Sequence, residues 1–254
     1  MSTFVPGIIV QQLSQKVALV IGGSRGIGGA ITSRLVADGA SVCFTYVGRD
    51  AAAVALSQEL DPSNGSFALR LDAADPTAAE TAVDAVIQRF GRLDILVISA
   101  GKAIGGSIGD YSRESFDEVF SLNVRSPFLA VNAAAKVMAD NGRIIVIGSI
   151  MAARTPGDGS TLYAASKAAL VGLTRGLARD LGSRGITSNL VQPGPIDTER
   201  NPADGPNVPE LHGYLAIKRH GTPVEVAGLV AYLVSDAAAF VTGSVYNIDG
   251  GFSA

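Results

Sequence analysis

A single cysteine, Cys43, stands in the whole chain, so no disulfide can close within it and no zinc site can be built from thiolates. Histidine is nearly as scarce: His212 and His220 are too few for a multi-histidine metal centre, and no metal is expected. No apolar run reaches the roughly 18 residues that span a bilayer. Residues 1–10 have no basic start and too short an apolar core for a secretory leader. The expected location is therefore the cytoplasm, without a membrane partner. Positive charge is not in excess: 20 Lys and Arg stand against 23 Asp and Glu, a net charge of −3. That argues against a broad face for a nucleic acid polymer, while leaving room for a small basic pocket. Charged residues make up 17% against 47% hydrophobic, which excludes disorder as the overall state. A length of 254 residues suits one α/β domain, taken as 1–254.

What the chain does have is rhythm. Short apolar runs at 17–21, 41–46, 66–71, 95–98, 143–147, 186–191 and 244–248 have strand length, and several are rich in Val and Ile. Such near-continuous apolar strands suit a parallel sheet covered on both faces. Helix-length segments lie between them, at about 26–38, 50–60, 76–90, 112–139, 161–183 and 223–235. In the third of these, Ala79, Val83, Val86, Ile87 and Phe90 fall on one side. Strand–helix alternation predicts a doubly wound α/β sheet with ligands at the carboxyl ends of its strands. One segment breaks the pattern. Residues 193–222 hold Pro193, Pro195, Pro202, Pro206 and Pro209, which marks a functional lid or loop.

The first strand is followed by Gly22-Gly23-Ser24-Arg25-Gly26-Ile27-Gly28 and then a helix. Glycines at 22, 26 and 28 let the backbone turn tightly and approach a pyrophosphate. The helix behind them offers free N–H groups and a positive dipole end. Structural glycines at a tight turn are the plain alternative. An acid at the end of the second strand would favour NAD, but that strand ends in Tyr46. Asp50, the nearest acid, suits the N-cap of the next helix better. Arg25, and secondly Arg49, can meet a 2′-phosphate, which favours NADP(H). The bland reading leaves both arginines solvated.

Tyr163 and Lys167 stand four apart in a helical segment, hence on one face. A free phenol titrates near about pH 10, and bringing it to neutrality takes roughly 4 kcal/mol. An ammonium at about 4 Å supplies a term of that order at an intermediate dielectric. By itself the pair is more often an exposed helical pair. Ser149 changes the balance. It follows the strand at 143–147, within one β–α loop of Tyr163, where a hydroxyl can hydrogen-bond a carbonyl oxygen. Asn123 sits inside a helical segment without any propensity advantage, as a residue holding a water or a backbone carbonyl would.

With these residues in view, the sequence resembles the short-chain dehydrogenases/reductases over essentially its whole length. The resemblance rests on the glycine loop, Asp72, Ser99-Ala100-Gly101, Asn123, Ser149, Tyr163 with Lys167, Pro193-Gly194 with Thr198, and Asp249-Gly250-Gly251. It implies a seven-stranded Rossmann-type fold and hydride transfer between NADP(H) and a carbonyl or alcohol, of the 3-oxoacyl reductase kind. Tyr163 is then the proton donor, Lys167 lowers its pKa and holds the nicotinamide ribose, Ser149 orients the carbonyl and Asn123 positions a relay water. The cofactor would touch Gly22, Ser24, Arg25, Gly26, Ile27, Gly28, Tyr46, Asp72, Ser99, Ala100, Gly101, Tyr163, Lys167, Pro193, Gly194, Ile196 and Thr198. The family usually carries Asn-Asn-Ala-Gly where this chain has Ile98-Ser99-Ala100-Gly101, a departure that bears on cofactor affinity, not on fold. The family pattern also implies a homotetramer or homodimer.

Stretches 44–48, 191–198, 201–206 and 216–221 are further similar to the bacterial cyclic-di-GMP-binding biofilm dispersal proteins within that family. This implies cyclic-di-GMP as an alternative ligand. Of the remaining residues, His220 is expected to be structural, and His212 either touches substrate or faces solvent. Cys43 is expected to pack in the core. Tyr111, Tyr214 and Phe252 are candidates for a pocket wall, with core or interface the alternative.

Overall fold

A computed structural model describes residues 12–48, 51–60, 64–206 and 208–254. Arg49, Asp50 and the first ten residues lie outside the described residues.

Seven parallel strands form one sheet: β1 Val17–Ile21, β2 Ser41–Tyr46, β3 Phe67–Arg70, β4 Ile95–Ile98, β5 Arg143–Ile147, β6 Thr187–Pro193 and β7 Val245–Ile248. Their order is β3-β2-β1-β4-β5-β6-β7. Helices cover both faces: α1 Gly26–Ala37, α2 Ala51–Glu59, α3 Ala78–Phe90, α4 Arg113–Phe120, α5 Ser126–Ala135, α6 Thr161–Leu181, α7 Val208–Gly213 and α8 Pro223–Val234. The doubly wound fold expected from the alternation is thus observed.

The period of two along each strand divides the core. In β1, Ala18 and Val20 face the layer that holds Ile31 and Leu35 of α1 and Val226 and Val230 of α8. Val17, Leu19 and Ile21 face the opposite layer, with Val83 and Val86 of α3, Val131 of α5 and Leu170 of α6. Both faces are covered, so all five β1 residues are buried. This is why the strand reads as an unbroken apolar run. The chain leaves β1 toward β2 on one side and enters β4 on the other. The loops after β1 and β4 therefore splay apart, and a crevice opens at the carboxyl ends between them.

The segment expected as one helix at 112–139 is broken. Helix α4 ends at Phe120, a π turn occupies Ser121–Arg125, and α5 ends at Ala135. Pro127 supplies the cause. It has no N–H to give, and its ring would strike the carbonyl four residues back, that of Asn123. Widening to a π turn relieves this and rolls Asn123 inward to 1% exposure. The stretch 193–222 is not wholly irregular either. It begins as the last residue of β6, carries α7, and is tied back where Ile196 bridges Gly221.

Candidate functional site

The glycine loop turns back on itself at Gly22, whose φ is +77°. A Cβ there would lie 2.8 Å from the Ala100 nitrogen, and one at Gly28 would lie 2.0 Å from the Gly22 carbonyl. Only glycine lets the turn close this tightly. Two threonines fasten it. Thr45 Oγ1 accepts from the Gly22 N–H at 3.0 Å, and Thr32 Oγ1 donates to the Gly23 carbonyl at 2.9 Å. The loop then enters α1 through Arg25, an N-cap whose side chain does not cap the helix. The first N–H groups of α1 are left for an outside anion.

The crevice is a cleft of about 580 Å³ running from the glycine loop to the start of α6. Gly22, Ser24, Arg25, Gly26, Ile27 and Gly28 form one end of its wall, with Tyr46 and Asp72 beside them. Ser99, Ala100 and Gly101 form the floor after β4; Pro193, Gly194, Ile196 and Thr198 form the far wall. Ser149, Tyr163 and Lys167 line the same cleft. Asn123 lies behind it. Its amide donates to the Lys102 carbonyl at 2.8 Å and to Ser166 Oγ at 2.9 Å, and its carbonyl accepts from the Lys102 N–H at 2.8 Å. Of the two partners the sequence allowed, the structure shows a backbone carbonyl.

Tyr163 and Lys167 occupy the first two turns of α6. Ser149 follows β5 and opens a 3₁₀ turn, its hydroxyl accepting from the Met151 N–H at 3.2 Å. That places it within hydrogen-bonding reach of the Tyr163 phenol. Lys167 is 4% exposed, and its Nζ donates to the Ile147 carbonyl at 3.1 Å. Burial pushes the amine down to about 8. Burial pushes the phenol up, and neither its bond with Ser149 nor the nearby Arg200 charge reverses that. The expectation that Lys167 draws the phenol toward neutrality is therefore not met here. Nζ lies 5.8 Å from the centre of the Tyr163 ring and is turned to a backbone carbonyl.

Other expectations resolve clearly. Cys43 is wholly buried, and burial raises its thiol to about 12. His220 is buried, and His212 is part-buried and stands outside the lining of the cleft; its Nε2 lies 2.9 Å from His220 Nδ1. Phe252 and Leu211 of α7 also line the cleft, and Tyr214 packs edge-on against Phe252. Tyr111 is held by a bond from its hydroxyl to the Gly159 carbonyl, 3.0 Å.

Four residues escaped the sequence reading. Thr45 looks like any β2 residue, and Ser166 sits unmarked between Tyr163 and Lys167. Glu199 and Arg200 are adjacent in the irregular lid. Thr198 and Asn201 bridge each other across them, so the two form the tip of a short hairpin. Glu199 Oε2 accepts from Arg25 Nη1 at 2.8 Å, and Arg200 Nη1 donates to the Gly101 carbonyl at 2.5 Å. The tip thus reaches two other walls of the cleft. Among the described residues no three His, Cys, Asp or Glu side chains gather as a metal site.

Comparison with known proteins adds to the geometry. A family model described as enoyl-(acyl carrier protein) reductase matches residues 21–253. The cyclic-di-GMP-binding biofilm dispersal mediator protein of Escherichia coli K12 is 50% identical over 239 residues, 94% of this chain and 98% of that one. The 3-oxoacyl-(acyl-carrier-protein) reductase FabG of the same strain is 38% identical over 241 residues, 93% of this chain and 96% of that one. The crystal structure of a short chain dehydrogenase from Burkholderia cenocepacia J2315 in complex with NADP superposes with a TM-score of 0.92 at 46% identity. That match covers 96% of this chain and 100% of the other.

Proposed function

The chain belongs to the short-chain dehydrogenase/reductase family, and on that premise we propose that it is an NADP(H)-dependent oxidoreductase acting on a carbonyl or alcohol. The observation that carries this is the meeting of Ser149, Tyr163 and Lys167 with the glycine loop in one cleft.

The residues fit a phosphorylated dinucleotide. The glycine turn admits no Cβ at 22 or 28, which leaves backbone N–H groups open to a pyrophosphate. No acid stands at Tyr46 to exclude a 2′-phosphate, and Arg25 supplies a cation beside it. Gly22 to Gly28, Asp72, Ser99 to Gly101 and Pro193 to Thr198 would hold the cofactor. When bound, NADPH supplies the hydride.

The side chains account for the proton. Tyr163 Oη gives it to the substrate oxygen, while the Ser149 hydroxyl donates a hydrogen bond that fixes the same oxygen. Lys167 spends one donor on Ile147 and keeps two hydrogens for a ribose hydroxyl and the phenol. Asn123 holds Lys102 and Ser166, and so fixes the floor of the cleft against α6. A half-buried phenol that desolvation keeps in its neutral form holds its proton at pH 7 and can give it to an alkoxide. This favours reduction of the carbonyl near neutrality, with alcohol oxidation growing as pH rises.

Loss of NADPH absorbance in the presence of aldehydes, ketones and 3-oxoacyl thioesters tests this reading. Wild type turns over at least one class, and Tyr163→Phe lowers kcat by about 10²- to 10⁴-fold. Equal inertness of both proteins on every class counts against it.

The relative at 50% identity supports a second reading, in which the cleft binds cyclic-di-GMP and the protein promotes biofilm dispersal. Calorimetry with cyclic-di-GMP, alone and against NADPH, separates the two. We further read 1–254 as one domain, working in the cytoplasm as a homotetramer or homodimer. Exposed Phe116, Phe128 and Phe240 support a face between copies, and light scattering in solution checks the assembly. No described helix is long and apolar enough to cross a membrane.

A further inference from the structure

Among the described residues Arg25 is the cation placed to meet a 2′-phosphate, yet its guanidinium is already in use. Nη1 holds Glu199 Oε2 at 2.8 Å, across 174 positions of sequence. The pair joins the glycine loop to the tip of the lid hairpin. It is open to water, the two side chains being 47% and 68% exposed, so it exchanges readily with another anion. Among the described residues three other cations line the cleft, and none of the three can take the place of Arg25. Lys102 is paired with Glu118, Lys167 is buried against Ile147, and Arg200 is bound to Gly101.

We propose that Glu199 is a cofactor-specificity residue: its carboxylate is an internal competitor for the arginine that meets a 2′-phosphate. The proposal rests on the NADP(H) reading above. A carboxylate bound to Arg25 must yield when a 2′-phosphate arrives, and afterwards stands as a like charge beside it. An unphosphorylated dinucleotide asks for no such exchange and leaves the pair intact. Glu199 therefore narrows the preference for NADP(H) over NAD(H), which Arg25 alone would make wider.

The neighbouring residue makes the exchange local. Arg200 anchors the same tip to the Gly101 carbonyl, and Asn201 Nδ2 donates to the Ile196 carbonyl at 3.2 Å. The tip is also held where Thr198 bridges Asn201. Release of Glu199 from Arg25 thus leaves the hairpin in place. Asp197, the other acid beside the tip, is occupied in accepting from the Ala203 N–H at 3.0 Å.

The test is calorimetric titration of the full-length protein with NADPH and with NADH, without substrate. Glu199→Gln should tighten NADPH binding by about three- to five-fold and leave NADH unchanged, the range expected for an exposed pair. Glu199→Lys should tighten NADPH further. In an Arg25→Met background Glu199→Gln should bring a smaller gain, because the competition for the arginine is gone and only the like-charge repulsion is left to relieve. Equal affinity gains for both dinucleotides, or none for NADPH, overturn the proposal while leaving the NADP(H) reading standing. Wild type that binds neither dinucleotide overturns that reading and the proposal with it.

Discussion

Replacing Lys167 with methionine should make the protein more stable while abolishing its proposed activity. The side chain is 4% exposed and donates to the Ile147 carbonyl at 3.1 Å, and no carboxylate among the described residues pairs with it. Burial holds the amine at about 8 against an ordinary value of 10.5. At pH 7 the folded protein thus carries a desolvated charge, at a cost of roughly 3 kcal/mol relative to the unfolded chain. Methionine has nearly the same length and no charge. Its introduction removes that cost and leaves the Ile147 carbonyl without a donor, which returns about 1 kcal/mol. The net expectation is a gain of about 2 kcal/mol, or roughly 4–8 °C in Tm for a chain of this size.

The pH dependence makes the reasoning sharp. The folded value of Lys167 lies below the unfolded one, so below about 8 both states are protonated and the full cost is present. Between about 8 and 10.5 the unfolded chain binds the proton that the folded chain has released, and stability rises with pH. The advantage of Lys167→Met should therefore be greatest near pH 7 and fade toward pH 10.5. Cys43 acts in the opposite direction, because its thiol is raised to about 12 and folded stability falls once the unfolded thiol ionises. Comparing variant with wild type at each pH cancels that term. Urea unfolding from pH 7 to 10.5 is the assay. A variant less stable than wild type at pH 7, or an advantage that does not vary with pH, refutes the argument.

Two other substitutions and one labelling experiment probe separate parts of the structure. Gly28→Ala puts a methyl 2.0 Å from the Gly22 carbonyl, so the turn must open; NADPH affinity by calorimetry should fall at least about ten-fold. Asn123→Leu removes three hydrogen bonds and strands the Lys102 N–H and carbonyl, and urea unfolding should show a loss of about 2–4 kcal/mol. Cys43 should resist alkylation at pH 8 under native conditions, since burial suppresses its thiolate; labelling should follow the rate or extent of unfolding, not the thiol chemistry.

The sheet and its helices were legible in the residues because the inner strands are covered on both faces. Val17 to Ile21 must then be apolar throughout, and such runs separated by helical lengths of chain leave little choice but a doubly wound sheet. The glycine turn was legible for a similar reason. Its backbone excludes every other residue at 22 and 28, so the requirement is written at those positions. Tyr163, Lys167 and Ser149 could be picked out because helical spacing and strand ends are local properties, and the structure gathers them in one cleft.

Contacts between distant segments were not legible. Pro127 was in plain view, but what it does to the helix depends on a widened turn that brings Asn123 to Lys102 and Ser166. His212 gains its meaning from His220, eight residues on, only because α7 folds back over the loop. The Arg25–Glu199 pair spans 174 positions with no periodicity to announce it. The direction of the Tyr163 shift was settled by desolvation, a property of everything packed around the phenol. Sequence by itself determined what each segment must become, because backbone geometry and solvent coverage act residue by residue. Tertiary structure alone decided which charges meet and which lose their water, because those depend on atoms brought together from opposite ends of the chain.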